Sequence, residues 1–401
     1  MIPLDEAQAH VRDRCPAPVA TTVALSEALG LVLAEPVVAT EAVPPFANTA
    51  MDGFAVRAAD TVGAPVRLTV VGTLAAGAAP DRPVGPGEAI RIMTGAPVPS
   101  GADAVVMVER TSVSGQFDGE LVDVEVEVPV GNHIRDAGED LEPGQVVFAP
   151  GTAIGPGHVG VLASINLHEV PVFRRPRVGV ISTGDELVAD GSALALGQIR
   201  DSNRPGLLAL VGGSGFDAVD LGLVRDDEAD IEAALLAGVE SCDALLTTGG
   251  VSMGDFDYVK VVLDRIGVMR WMQVAIRPAK PLAFGTVAGV PVFGLPGNPV
   301  SSMVSFELFA RPALRAMAGH TVTGRPLVSA VADGGLPRRP DGKVHFARVL
   351  VDYRDGAYRV ASAGGQGSHQ LTAMAGADGL AVLPDGDGVA DGDVVEVLLL
   401  H

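Results

Sequence analysis

Cysteine is almost absent. Cys15 and Cys242 are the only two in the chain, which excludes a disulfide framework and a cysteine-based zinc site. Cys242 precedes the apolar run Ala244–Leu246 and reads as a packed thiol. Lysine is nearly as scarce: Lys260, Lys280 and Lys343 are the whole set, so arginine carries most of the positive charge. No apolar run approaches the ~18 residues of a membrane span. The first residues, Met1-Ile2-Pro3-Leu4-Asp5-Glu6, carry neither a basic segment nor an apolar signal-type stretch. These absences predict a cytoplasmic protein with no membrane partner. There is also no Walker-type lysine loop, no dinucleotide fingerprint and no Gly-x-Ser-x-Gly elbow.

What is present is acid. The formal charge is −21 over 401 residues, which argues against a nucleic-acid groove or an anionic membrane as partner. Small anionic ligands remain open to it where a metal or local cations intervene. At 48% apolar the chain is globular, and its length implies about two to four domains.

Apolar spacing predicts an amphipathic helix over 3–14, with Leu4, Ala7 and Val11 on one face, and a second over about Ser26–Leu33 capped by Ser26. Pro44 and Pro45 mark a boundary. Residues 46–133 read as short strands. Within them Val122, Val124, Val126 and Val128 alternate with Asp123, Glu125 and Glu127, the pattern of a half-buried strand. A short helix near His158–Ile165 is expected to pack with the first two, which makes the first domain discontinuous. From Val178 to Ala318 strands alternate with helices, implying βαβ units and a mainly parallel sheet. Asn203 and Asp227 are expected helix caps there, and a long helix follows Pro299. Beyond Gly319 the chain is β-like again, with Asp-Gly turns, and predicts a small barrel or sandwich.

The stretch Ala244–Tyr258 holds the first chemical signal. An apolar strand breaks at Thr247-Thr248-Gly249-Gly250, followed by Ser252, Asp255 and Asp257. Such strand ends, with bare amides and small hydroxyls, are where open α/β sheets bind ligands. An echo lies at Ser182-Thr183-Gly184-Asp185-Glu186. Each loop alone also reads as an ordinary strand-to-helix turn. Asp226 and Asp227 follow another strand. Arg277-Pro278-Ala279-Lys280-Pro281 sets two cations three residues apart on a proline-stiffened turn. Leu295-Pro296-Gly297-Asn298-Pro299 opens a helix with free amides. Two remote passages stand out as well: Asn48–Val56 with Asp52, and Arg91–Pro99 with Thr94. Arg135, Glu139 and Asp140 add a cation and two acids nearby. His133 reads as structural. Carboxylates beside anion-binding backbone make sense when a hard divalent cation such as Mg²⁺ bridges them to phosphate. The pattern implies a phosphate-bearing ligand.

The passages Asn48–Val56, Arg91–Pro99, Ser182–Leu187, Thr247–Tyr258, Arg277–Pro281 and Leu295–Ser301 together resemble molybdopterin molybdenumtransferases of the MoeA type, related to the gephyrin E domain. The resemblance spans essentially the whole chain in order. It implies an α/β plus β fold, multidomain and elongated. A discontinuous linker domain (1–45 and 134–172) carries an inserted β-rich domain (46–133). A molybdopterin-binding three-layer α/β domain (173–318) and a C-terminal β-barrel (319–401) follow. It implies a homodimer with an active site shared between subunits, and insertion of molybdenum from molybdate into adenylylated molybdopterin with release of AMP.

On the matching positions, Asp185, Glu186, Asp226 and Asp257 would bind Mg²⁺ or arrange the pyrophosphate. Thr183, Gly249, Gly250 and Ser252 would cradle the phosphate or nucleotide. Arg277 and Lys280 would hold molybdate or phosphate, with Pro296 and Pro299 shaping that pocket. Asp52, Thr94, Arg135 and Asp140 would reach across the dimer. Asp52, Asp226, Asp257 and Lys280 are the candidate catalytic residues. Many family members have lysine and glycine where this chain has Arg277 and Ala279, and alanine is expected to forgo positive φ. Two other readings stay open: a molybdopterin adenylyltransferase, and a non-catalytic scaffold of the gephyrin E-domain kind. Partners that hand on the pterin or the finished cofactor are expected within the same pathway.

Overall fold

The computed structural model describes residues 1–114, 120–250 and 258–401. Ser252, Asp255 and Asp257 lie outside the described residues. The chain divides into two compact units, one of Met1–Thr22, Gly30–Ala34 and Pro171–His401, the other of Val23–Leu29 and Glu35–Val170.

The first unit is built on a six-stranded sheet. Its strands run in the order Asp217–Val224, Arg177–Thr183, Ala244–Thr248, Val290–Leu295, Pro281–Val287 and Gly267–Gln273. The first four are mutually parallel, so their carboxyl ends fall on one edge. The last two pair antiparallel, so the sheet is mixed. Strand Ala244–Thr248 is buried along its whole length, as a central strand covered on both faces must be. Helix Glu228–Ser241 is capped by Asp227, whose carboxylate accepts from Ala229 N at 2.9 Å and Asp230 N at 3.1 Å. Helix Asn203–Gly213 starts one residue after Ser202. Asn203 is therefore not its cap, and its amide is engaged elsewhere. The helix after Pro299 runs as Pro299–Ser305, a wider turn Phe306–Ala310 and Arg311–Met317.

In the same unit, five strands close into a barrel: Val344–Arg354, Ala357–Ser362, Leu327–Ala332, Val394–Leu399 and Gly379–Leu383. Closure pairs every edge and removes the exposed strand a small sheet would otherwise present. The short strand Ile276–Arg277 adds to it in parallel and sets Arg277 opposite His345. Helix Leu4–Arg12 buries Ala7 and Val11 in the core that also holds Phe306, Leu314 and Met317. It thus packs on the Arg311–Met317 helix.

The second unit carries a six-stranded sheet in the order Ala104–Met107, Gly53–Val56, Glu88–Ile92, Val66–Leu74, Leu121–Val124 and Thr111–Ser114. The alternating Val122–Val128 run is a strand only as far as Val124. Glu125 N then turns to Arg110 O, and Val128 N donates to the buried Thr61 hydroxyl at 3.1 Å. The predicted helix at 26–33 is also absent. Only Leu25–Glu27 forms a single tight turn, Gly30 stops it at φ +79°, and Val32–Leu33 pairs as a strand with Val172–Phe173.

At the end of helix Arg311–Met317 sits His320, half-buried, its pKa pushed down to about 4 by burial and by the Arg315 and Arg311 charges. The unfolded chain takes up this proton near the ordinary value of about 6.5, and the folded chain resists it until about 4. His320 therefore lets full stability stand above pH ~6.5 and erodes it as pH falls from there. The melting temperature should drop between pH 7 and pH 5, and His320→Gln should flatten that part of the profile. An unchanged profile in the variant would remove His320 from the account.

Candidate functional site

The carboxyl edge of the parallel strands forms a crevice of about 80 Å³ lined by Thr183, Glu186, Asp201, Asn203, Thr248, Gly249, Gly297 and Pro299, among others. It is assembled by two side chains. Asp201 is buried and accepts from the Ser182 hydroxyl at 2.7 Å and from Arg204 N and Nε at 3.2 and 2.9 Å. Asn203 Nδ2 donates to Thr248 Oγ1 at 2.8 Å and to the Gly297 carbonyl at 2.7 Å. A carbonyl only accepts, so this contact fixes which way the amide faces. The two strand-end loops and the Pro296–Pro299 turn are thereby tied into one wall.

Gly249 is where the chain most needs glycine. Its φ is +93°, and a Cβ there would stand 2.9 Å from Thr183 O and 3.3 Å from Thr183 Oγ1. The two loops meet at this contact, with no room for a side chain between them. Thr247 Oγ1 is buried with no hydrogen-bond partner among the described residues.

At the mouth, Asp185 and Asp226 interlock. Asp185 N donates to Asp226 Oδ2 at 3.4 Å, and Asp226 N donates to Asp185 Oδ1 at 3.3 Å. Each carboxylate keeps one oxygen outside this pairing. Among the described residues no three His, Cys, Asp or Glu side chains cluster as a preformed metal cage. Two exposed carboxylates match Mg²⁺, which is commonly held by one or two carboxylates with waters and substrate phosphates. The residues present fit that ion.

Arg277 lies elsewhere. With Pro278 it lines a separate cavity of about 410 Å³ whose other walls come from the barrel, including Arg338, Arg339, His345, Gln366 and Gly367. Pro299 lines the crevice instead, and Pro296 lines neither, its carbonyl facing the Thr248 hydroxyl at 3.5 Å. Two barrel cations and a histidine are held by one carboxylate. Asp341 accepts from Lys343 Nζ at 2.7 Å, Arg338 Nη2 at 2.9 Å and His345 Nε2 at 3.1 Å. Lys343 above all, with His345, holds its carboxyl down to about 2. Arg338 also donates to the carbonyls of Lys343, Leu383 and Pro384 and pairs with Asp385. Arg277, Arg339 and Lys280 have no ion-pair partner among the described residues.

In the second unit, Asp52 and Thr94 come together. Asp52 Oδ1 accepts from both Thr94 Oγ1 and Thr94 N at 2.7 Å, and these bonds hold its carboxyl pKa below the usual carboxylate value. Arg135 is exposed on the short strand that pairs with Asn48–Thr49, and Asp140 is exposed beyond it.

Three family models tile the chain: the MoeA N-terminal region (domain I and II) over residues 2–166, a probable molybdopterin binding domain over 179–316, and the MoeA C-terminal region (domain IV) over 337–400. The chain belongs to the MoeA family. A molybdopterin molybdenumtransferase 2 of Mycobacterium tuberculosis is 42% identical over 386 residues, covering 94% of this chain and 92% of the relative. A molybdopterin molybdenumtransferase of Haemophilus influenzae is 37% identical over 99% of this chain and 98% of its own length. The solved MoeA protein of Pyrococcus horikoshii OT3 superposes with a TM-score of 0.83 at 31% identity, covering 100% of both chains. The multidomain MoeA-like fold, with its α/β domain and closed barrel, agrees with the expected fold class.

Against the MoeA pattern, the structure corrects one expectation. Ala279 does adopt positive φ, +73°, in a buried position. For an L-residue this costs ~1–2 kcal/mol. The buried methyl returns about 0.8 kcal/mol, and the smaller unfolded-state freedom of alanine over glycine about 0.4–1 kcal/mol more. The effects nearly cancel, which explains how alanine stands here.

Sequence reasoning missed Asp201 and Asn203 as crevice builders, and the barrel side of the Arg277 cavity. The run Asp201-Ser202-Asn203-Arg204 was the available signal for the first. The second needed the tertiary fold.

Two outcomes follow from this geometry. Ala279→Gly should leave the melting temperature within a few degrees, and a large shift either way would contradict the near-cancellation. Gly249→Ala should destabilise by ~1–3 kcal/mol, in the range of strained backbone positions. A fully stable, fully active Gly249→Ala protein would show that the Thr183–Gly249 contact is dispensable.

Proposed function

We propose that this chain inserts molybdenum from molybdate into molybdopterin, that the pterin arrives adenylylated, and that AMP leaves. Supporting this reading are the family relationship and one observation above the rest: the parallel strands end in a single wall of glycines and small hydroxyls, tied by Asn203. Amides and hydroxyls at strand ends suit phosphate oxygens.

In this reading Thr183, Gly249, Gly250 and Ser252 cradle the phosphate and nucleotide. Asp185, Glu186, Asp226 and Asp257 orient the phosphoanhydride together with Mg²⁺. When bound, Mg²⁺ supplies neutralisation of the negative charge that develops on the departing AMP. Arg277 and Lys280, unpaired among the described residues, hold the incoming oxyanion. A guanidinium offers a planar fork of donors to such an anion. The chain works as a homodimer, and Asp52, Thr94, Arg135 and Asp140 of one subunit complete the site of the other. The domain limits at 45, 133, 172 and 318 belong to the same proposal.

The deciding assay mixes the protein with adenylylated molybdopterin and molybdate and follows AMP. Molybdate-dependent AMP release is expected; its absence sinks the insertase reading and favours an adenylyltransferase or a scaffold. Asp226→Asn should cut turnover at least tenfold and raise the Mg²⁺ concentration needed for half-maximal rate. An unchanged Mg²⁺ dependence would take Asp226 out of the metal site. For the shared site, Asp52→Ala and Asp226→Ala subunits, each inactive alone, should regain activity as verified heterodimers, and none recovered would count against it.

A further inference from the structure

Residues 319–325 join the end of helix Arg311–Met317 to the first barrel strand, Leu327–Ala332. They form no regular element, yet side chains of the preceding helix hold them in place. Arg315 Nε donates to the Val322 carbonyl at 3.1 Å, and Arg311 Nη1 donates to the Thr323 carbonyl at 3.3 Å. Arg325 Nε and Nη2 donate to Glu307 Oε2 and Oε1 at 2.8 and 2.9 Å. Arg311 stands beside the same carboxylate, its Nε 3.8 Å from Glu307 Oε2. Among the described residues neither Arg311 nor Arg325 pairs with any other acid.

The place of Glu307 is unusual in two ways. It is buried, at 5% exposure, where exchanging an ion pair for apolar residues is often neutral or stabilising. The pair is therefore a poor source of stability. It is a good source of direction, because a fork of two donors fits a carboxylate in one orientation. Glu307 also sits in the wider turn Phe306–Ala310, whose residues are all buried. Such turns inside a helix are rare and frequently mark functional positions. Gln8 Nε2 supports this one by donating to the Leu308 carbonyl at 3.1 Å. Burial, and then the neighbouring Arg325 charge, push the Arg311 pKa down to about 10. Without the Glu307 carboxylate these two guanidiniums would repel each other across the connector.

We propose that Glu307 is a positioning residue that fixes the barrel on the α/β domain. It pins the connector to a helix whose other end, Pro299, lines the crevice, so crevice and barrel keep one relative placement. A reaction that draws on both is sensitive to that placement, since a shift of about 1 Å between reacting groups can cost about 100-fold in rate. AMP, held by the crevice alone, is not. The kinetic part of this inference rests on the proposed molybdenum insertion; the structural part does not.

The test compares the full chain as wild type, Glu307→Gln, Arg325→Lys and, as a control for lost stability, Val397→Ala in the barrel core. Each is measured for melting temperature, hydrogen exchange of the 320–325 amides, AMP affinity by calorimetry with Mg²⁺, and kcat/KM for molybdate. Glu307→Gln and Arg325→Lys should speed exchange at those amides at least tenfold and lower kcat/KM about tenfold, with AMP affinity within about twofold of wild type. Val397→Ala should lose melting temperature without either change. Wild-type exchange or wild-type kcat/KM in folded Glu307→Gln overturns the positioning role. So does an equal fall in Val397→Ala, or an AMP affinity that falls in step with kcat/KM. No molybdate-dependent turnover in the wild type overturns the insertase reading instead, and exchange then decides the role of Glu307. Where Glu307→Gln does not fold, Arg325→Lys, which keeps the charge and loses the fork, decides.

Discussion

The buried carboxylate of Asp201 is the contact on which the candidate crevice depends. Its side chain is fully out of solvent beside Arg204, and it binds the Ser182 hydroxyl and the start of the helix at Asn203–Gly213 at once. A buried carboxylate is tolerated only with such partners, and removing one member of a pair of this kind costs ~3–5 kcal/mol. Arg204 in turn reaches Asp220 at 2.6 Å on the neighbouring strand. This anchors the helix whose first residue, Asn203, stitches Thr248 to Gly297. The strand ends, the helix start and the proline turn are therefore set by one charge and its three donors. The crevice between them is lined by Thr183, Thr248, Gly249 and Gly297.

Charge is distributed with similar economy. Cations near the barrel are consumed by acids: Asp341 and Asp385 take Arg338, and Asp341 takes Lys343. Arg277 and Arg339 have no such partner among the described residues. In a chain of net charge −21, this leaves a small region of attraction inside a repelling field, which favours a compact anion over an extended polyanion. At the mouth of the crevice the sign reverses, with Asp185 and Asp226 paired through each other's backbone amides. A cation shared with a phosphate suits that arrangement.

Much of this was legible in the residues. The parallel α/β core followed from strands alternating with helices, and the Thr-Gly loops marked the edge that forms the crevice. Asp227 follows a strand and precedes an apolar-periodic run, the place of a helix cap, and it is one. The illegible parts share a physical cause. Asn203 looks like a cap because caps and bridges use the same short amide, and only the neighbouring loop decides between them. Val126 and Val128 continue the strand alternation beyond the strand because both pack on the apolar core around Phe54 and Val122, while the Val128 amide donates to Thr61. The Arg277 cavity joins residues 277–278 to barrel residues between 337 and 383, so no local pattern could announce its far wall. Ala279 holds a glycine-like conformation because its methyl is buried, a compensation invisible to propensity.

The central claim is that the ligand sits at the carboxyl ends of the parallel strands. A third cavity, of about 160 Å³, offers the opposite answer: Pro176, Cys242, Asp243 and Val290 line it at the amino ends of those same strands. The most direct measurement is a crystal structure of the protein soaked with AMP and Mg²⁺. The account predicts phosphate density within hydrogen-bonding distance of Thr183 and Gly249, beside Asp185 and Asp226. Nucleotide bound at the Cys242 end, with the Thr183–Gly249 crevice free of density, would contradict it.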